Sequence, residues 1–283
     1  MKKFIIFTLS LLFPLLALGQ AQINTKKVKI ADFTDKTTKV VLTGKMYHDA
    51  KLEQAVKERW HSSAIEFCTL DEFNQTMADS NYYFLLTVTG QFKKETEPGL
   101  TFLSLVKGGE TGDKGIDGLL EVVSFPFAAS DEPTGREYVF LPYILDMIQI
   151  HAINSTKNDV NGYAGLPNYT LNINKSRNMD IVFSEADLSP EVTPELKETF
   201  FNNQVHVLEE NAADKYVTPE KENTLVSYVV VPTELKPGSY CYKMLFDTQS
   251  STLYYFRKHK ISKKVGAGFL AEDIKRICAT RKK

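Results

Sequence analysis

Apolar positions along this chain change period several times, and the order of the changes occurs twice. Val40-Val41-Leu42 is a short β-branched run ended by Gly44 and predicts a strand. In residues 49–61, Leu52, Ala55, Val56 and Trp60 take the i, i+3, i+4, i+8 spacing of one helical face, with Asp49 near the start, where an acid suits the helix dipole. Residues 65–68 predict a second strand. Thr69 with Glu72 three positions on has the form of a capping box and predicts a short helix through Met77, broken by Asp79-Ser80-Asn81. Runs at 82–88, 100–106 and 119–125 predict three further strands. Residues 138–153, apolar on almost every face, predict a long helix that closes the unit.

The same order returns downstream. Residues 181–184 predict a strand, 194–201 a helix with Pro and Glu early, and 204–208 a strand. A short helix at 209–216, strands at 225–231, 240–246 and 253–257, and a helix at 269–278 complete the second set. Pairing Val41 with Val182 gives an offset of 141 residues and Tyr82 with Leu225 one of 143, shrinking to 129 between Phe140 and Phe269. The expected fold is therefore α/β with some α+β character: two tandem similar units, each strand–helix–strand–short helix–three strands–helix. Their expected bounds are 38–154 and 179–280, with 155–178 as a linker rich in Asn, Ser, Thr and Gly that carries one exposed extended piece at 169–173.

Composition narrows the class. The chain has 283 residues, 43% hydrophobic and 24% charged, enough for ordinary globular cores. Its formal net charge of −1 gives no general attraction to phosphate backbones, so nucleic acid is not an expected partner. Residues 1–19 have a basic start at Lys2-Lys3, an apolar run and a small-residue site at Ala17-Leu18-Gly19, and read as a secretory signal peptide. The apolar run is about 15 residues where a span needs about 20, so an integral membrane protein is not expected; the mature chain is expected in the periplasm or outside the cell. Cys68, Cys241 and Cys278 are too few for a disulfide framework. Cys68 reads as a small buried hydrophobe, and a Cys241–Cys278 bridge is open after export but not favoured.

Chemical motifs are scarce. Gly266-Ala267-Gly268-Phe269-Leu270-Ala271 fits the dinucleotide pattern, yet only 12 residues follow it, too few for the strand and acidic ribose ligand, so it reads as a helix entry and no cofactor is expected. The glycine-rich 108–115 carries two acids and reads as a solvated hairpin loop. His48, His61, His151, His206 and His259 stand singly, without zinc spacing, so no metal is expected. His206, between Val205 and Val207, should face solvent. Asp71-Glu72 and Glu209-Glu210 both open short helices, a structural use of acids. Tyrosine is the suggestive excess: Tyr82, Tyr83, Tyr240, Tyr242, Tyr254 and Tyr255 cluster on strands, where alternation should turn one of each pair outward as a contact surface.

The strand 82–90, following a short helix and the Asp79-Ser80 turn, and the hairpin turn Asp247-Thr248-Gln249-Ser250 before the last helix resemble in element order the TolB N-terminal domain and the domains of curli-channel and penicillin-binding-protein-activator lipoproteins. The leader is similar to those of exported Bacteroidota proteins. The resemblance implies domains that present surfaces to envelope partners, without a lipobox or β-propeller here, and carries over no functional residue. The expected function is a non-catalytic binding or scaffold module of the cell envelope, with an envelope protein or glycan as partner. The alternative is a hydrolytic enzyme whose catalytic set assembles in the cleft between the units.

Overall fold

The structure is a computed structural model that describes residues 26–91, 98–110, 112–131, 134–279 and 281. The signal peptide expected at 1–19 lies outside the described residues. After a turn of helix α1 (Lys26–Lys29), the first unit runs β1 (Thr37–Val41), α2 (Met46–Arg59), β2 (Ala64–Cys68), α3 (Leu70–Thr76), β3 (Tyr82–Gly90), β4 (Leu100–Lys107), β5 (Leu120–Ala129) and α4 (Arg136–Lys157). After α5 (Asp159–Ala164), the second unit runs β6 (Asp180–Ser184), α6 (Pro194–Phe200), β7 (Val205–Leu208), α7 (Glu210–Asp214), β8 (Thr224–Val230), β9 (Tyr240–Asp247), β10 (Thr252–Lys260) and α8 (Ala271–Cys278).

The two sheets have the same topology. Their strand orders are β2-β1-β3-β4-β5 and β7-β6-β8-β9-β10, parallel across the first three strands and antiparallel across the last three. Equivalent strands start 143, 142 and 140 residues apart, at Thr37 and Asp180, Tyr82 and Thr224, and Leu100 and Tyr240. The last helices start at Arg136 and Ala271, an offset of 135 rather than 129, because Phe140 lies inside α4 whereas Phe269 precedes α8. The capping box expected at Thr69 forms: its hydroxyl accepts from the Glu72 amide at 3.2 Å, and Glu72 accepts from the Thr69 amide at 2.7 Å.

Strand parity assigns each sheet two different faces. In the first unit Tyr83, Leu85, Leu103 and Phe125 meet α2 and α4, and Phe84, Leu86 and Val106 meet α3 through Phe73. In the second, Phe183, Leu225 and Leu245 meet Ile274 and Ile277 of α8. Its other face, with Val226, Tyr228, Met244 and Phe246, joins the core of the first unit. Helix α4 is apolar over most of its surface because most of it is buried between the units: Phe140 stacks on Tyr228 with centroids 4.3 Å apart, and the Tyr228 hydroxyl donates to the Phe127 carbonyl at the edge of β5.

Arg136, at the start of α4, crosses from one unit to the other. Its guanidinium bonds Asp187 with two N–H groups (2.8 and 3.2 Å), Asp214 at 2.9 Å and the Ser227 carbonyl at 3.1 Å, and is buried among them. Segment 155–178 differs from the expected linker. Residues 166–175 form 3-10 turns against β10, not an exposed extended piece. The reason is the free edge of β10: the Thr170 hydroxyl donates to the Phe256 carbonyl and accepts its amide, and Asn172 donates to the Leu253 carbonyl.

Candidate functional site

A cleft of about 520 Å³ opens between the units. One wall is the first sheet at Phe102, Ser104 and Ser124, the other is Tyr242, Phe256 and Lys258 of β9 and β10, and the segment around Tyr163 to Pro167 borders it. A shallower groove of about 270 Å³ shares Pro167, Phe256 and Lys258 with the cleft and extends it to Arg257 and Arg276. The two together are lined by four cations, Lys26, Arg257, Lys258 and Arg276, against one acid, Glu121. Aromatic faces lie among the charges. Tyr163 is 67% exposed, and the Lys258 ammonium sits 5.1 and 5.9 Å over the Tyr240 and Tyr242 rings. Burial pushes the Lys26 ammonium down from its ordinary pKa while Glu121 pulls it up.

His151 lies at the back of the cleft, on α4. Its Nδ1 is 3.4 Å from the Tyr169 hydroxyl and its Nε2 is 3.4 Å from the Ser155 hydroxyl one helical turn on. Burial, helped by the charge of Lys26, brings its pKa down to about 4, so it is neutral at pH 7. Ser155 is fully buried, so a substrate carbonyl in the cleft has no path to its hydroxyl. Among the described residues, no group of three or more His, Cys, Asp or Glu gathers as a metal site requires.

No family model, curated protein or solved structure matches this chain. The site therefore rests on geometry alone.

The six candidate tyrosines do not form one outward patch. Tyr83 and Tyr255 are fully buried, a correction to their place in a contact surface. Their rings fill the core and their hydroxyls donate to Asp32 at 2.7 Å and Asp273 at 2.5 Å; burial, reinforced by those carboxylates, pushes both phenols far above their usual pKa. Tyr242 is also buried, at 6% exposure, but on the wall of the cleft. Tyr82, Tyr240 and Tyr254 are half-buried; Tyr82 lies under the Lys39 ammonium at 3.9 Å on the α3 face of the first sheet, away from the cleft. Tyr240 and Tyr242 share one face because they are two apart. His206 is exposed, as its neighbours imply. Cys68, Cys241 and Cys278 are all free and buried, so no Cys241–Cys278 bridge forms. In the dinucleotide-like stretch, Gly268 sits at φ +88° where a Cβ would meet the backbone of 187–189, and Phe269 joins that backbone through a parallel bridge at Leu188, donating to the Asp187 carbonyl at 2.8 Å and accepting from the Ser189 amide at 3.0 Å. Lys26, His151 and Tyr163 were not singled out in the sequence as cleft residues, since only the packing of one unit on the other brings them together.

Proposed function

We propose that this chain is an exported, non-catalytic binding module of the cell envelope, and that the cleft between its units holds an acidic glycan. The observation that carries the reading is the lining: Lys26, Lys258 and Arg276, with Arg257 that also pairs with Glu272 at 3.4 Å, against Glu121 as the one lining acid, and the exposed ring of Tyr163 beside them, along a cleft and groove that share Pro167, Phe256 and Lys258. Carboxylates of uronic acids pair with ammonium and guanidinium groups, and sugar ring faces pack on aromatic rings, so both features suit one ligand class. Export rests on the signal-like leader, and the periplasm or cell exterior is where such a glycan is met.

The test is calorimetric titration of the protein with oligogalacturonate. Saturable binding that weakens at least tenfold in Lys258→Glu, and that falls with added salt, supports the reading. Equal heats from the neutral galactose oligomer, or no effect of the substitution, refute it. A second reading, hydrolysis by Ser155 with His151 as base, has the 3.4 Å contact in its favour and the burial of Ser155 against it. An activity on ester substrates lost in Ser155→Ala would establish it in place of the first.

A further inference from the structure

Between the starts of α2 and α4 lies a second cavity, of about 80 Å³, walled by His48, Glu137, Tyr138, Thr87 and Thr101 and bordered by the exposed Lys45, the one cation in its lining. It stands by the loop after β1, at Thr43, and beside Thr87 of β3, where the order β2-β1-β3 reverses: β1 leads to β2 on one side, and β2 crosses back to β3 on the other, the place at which open α/β sheets bind ligands. Glu137 is 2% exposed. Its Oε2 accepts from the Gly135 amide at 3.0 Å, and its Oε1 has no hydrogen-bond partner. The Nε2 of His48, in the same wall, also has none, while its Nδ1 is 3.2 Å from the Tyr138 hydroxyl. A buried carboxylate oxygen without a donor is costly and in native proteins is normally satisfied.

The second unit shows what is missing. There the first-turn acid that likewise accepts from its N-cap amide, Leu270, at 2.8 Å is Asp273, one position further into its helix than Glu137. Its remaining needs are met inside the protein, by the Lys243 ammonium and the Tyr255 hydroxyl. Cross-strand register identifies the matching positions: Lys243 pairs with Arg257 and Leu245 with Tyr255, as Leu103 pairs with Phe125 and Leu105 with Val123. So Leu103 and Val123 stand where the second unit has its ammonium and its hydroxyl. Both units carry a first-turn acid that accepts from its N-cap amide, and at the sheet positions that serve it in the second unit the first has hydrocarbon; Glu137 itself lines the open cavity. Closure differs as well: the Leu188–Phe269 bridge stitches the second unit's crevice, and among the described residues no such bridge joins the loop after β1 to the start of α4.

We propose that this cavity is a binding site for a primary ammonium group, which donates to Glu137 Oε1 and takes the part that Lys243 plays in the second unit. His48 supplies the second contact through Nε2. One carboxylate and one imidazole are too few for a divalent cation but suit the three donors of an ammonium. A cavity this size holds the amine end of a larger molecule, so affinity for a small amine alone is on the order of millimolar.

The test uses the full-length chain, labelled on histidine, titrated at constant ionic strength with ethylammonium chloride. The proposal expects a saturable shift of the His48 ring signals with those of exposed His206 unmoved, at least tenfold weaker binding in Glu137→Gln, and none in Leu103→Lys, which supplies the ammonium from within. Identical shifts with potassium chloride, or with tetramethylammonium, which has no N–H, would overturn it, as would unchanged affinity in Glu137→Gln. If either variant fails to fold, the comparison of salts on the native chain decides alone.

Discussion

Replacing Arg136 with methionine keeps the length of the stem and removes the charge that spans the two units. Asp187, at 3% exposure, would then keep its carboxylate with the Ser227 hydroxyl at 2.6 Å as its remaining side-chain partner, and Asp214 would lose its 2.9 Å bond. Breaking a buried ion pair by removing one member costs about 3–5 kcal/mol, and with Arg136 only 8% exposed, solvent screens little of it. The guanidinium also lies 5.4 and 5.7 Å from the Phe140 and Tyr228 ring centres, worth on the order of 1 kcal/mol more. The expected loss is therefore roughly 4–6 kcal/mol, a fall in Tm of about 8–24 °C at about 2–4 °C per kcal/mol. Urea unfolding at pH 7.5 measures it. Adding Asp187→Asn in the same chain should return part of the loss, because the stranded charge is gone. A cost below about 1 kcal/mol for Arg136→Met, or a double variant whose loss is the plain sum of the two single ones, would refute the role given to the cluster.

Three further outcomes follow from named contacts. Gly268→Ala should destabilise by more than about 2 kcal/mol, since its Cβ would lie 2.7 Å from the Asp187 carbonyl at φ +88°, while Gly266→Ala, with nothing within 4 Å, should be near neutral; paired thermal melts check both. His151 is neutral in the folded state down to about pH 4 but protonates near 6.5 when unfolded, so between these values the unfolded chain binds the extra proton and stability falls as pH falls. His151 should contribute about 2 kcal/mol of the loss at pH 5, and His151→Phe should remove that share while the parts due to the buried His48 and His259, lowered in the same direction, remain, as read by urea titrations at pH 7 and pH 5. Thr69→Ala removes the capping box of α3 and should cost about 1 kcal/mol, whereas Thr69→Ser should cost little.

The tandem architecture was legible because each unit's elements bury opposite faces against different partners. A strand such as 82–88 with both faces apolar, and a helix such as 138–153 apolar over most of its surface, each report neighbours on more than one side. The capping box at Thr69 and the outward His206 are local and read correctly for the same reason. What failed was long range. The stretch 155–178 has the composition of a linker, yet the unpaired edge of β10 recruits Thr170 and Asn172 as hydrogen-bond partners, which no local pattern announces. Alternation placed one member of Tyr82-Tyr83 and of Tyr254-Tyr255 inward, but not which, and could not foresee that Tyr242 lines a cleft made by the other unit. Arg136 lies just before the helix expected at 138–153 and carries no local signal; its partners Asp187 and Asp214 are 51 and 78 positions away.

The central claim, that an acidic glycan binds between the units, is tested most directly by hydrogen exchange of the full-length protein with and without saturating oligogalacturonate. Slowed exchange confined to the cleft walls, in β4, β5, β9 and β10 and around Tyr163, is the predicted result. Protection elsewhere, at the exposed edges β2 and β7, or no change at saturation, would contradict it.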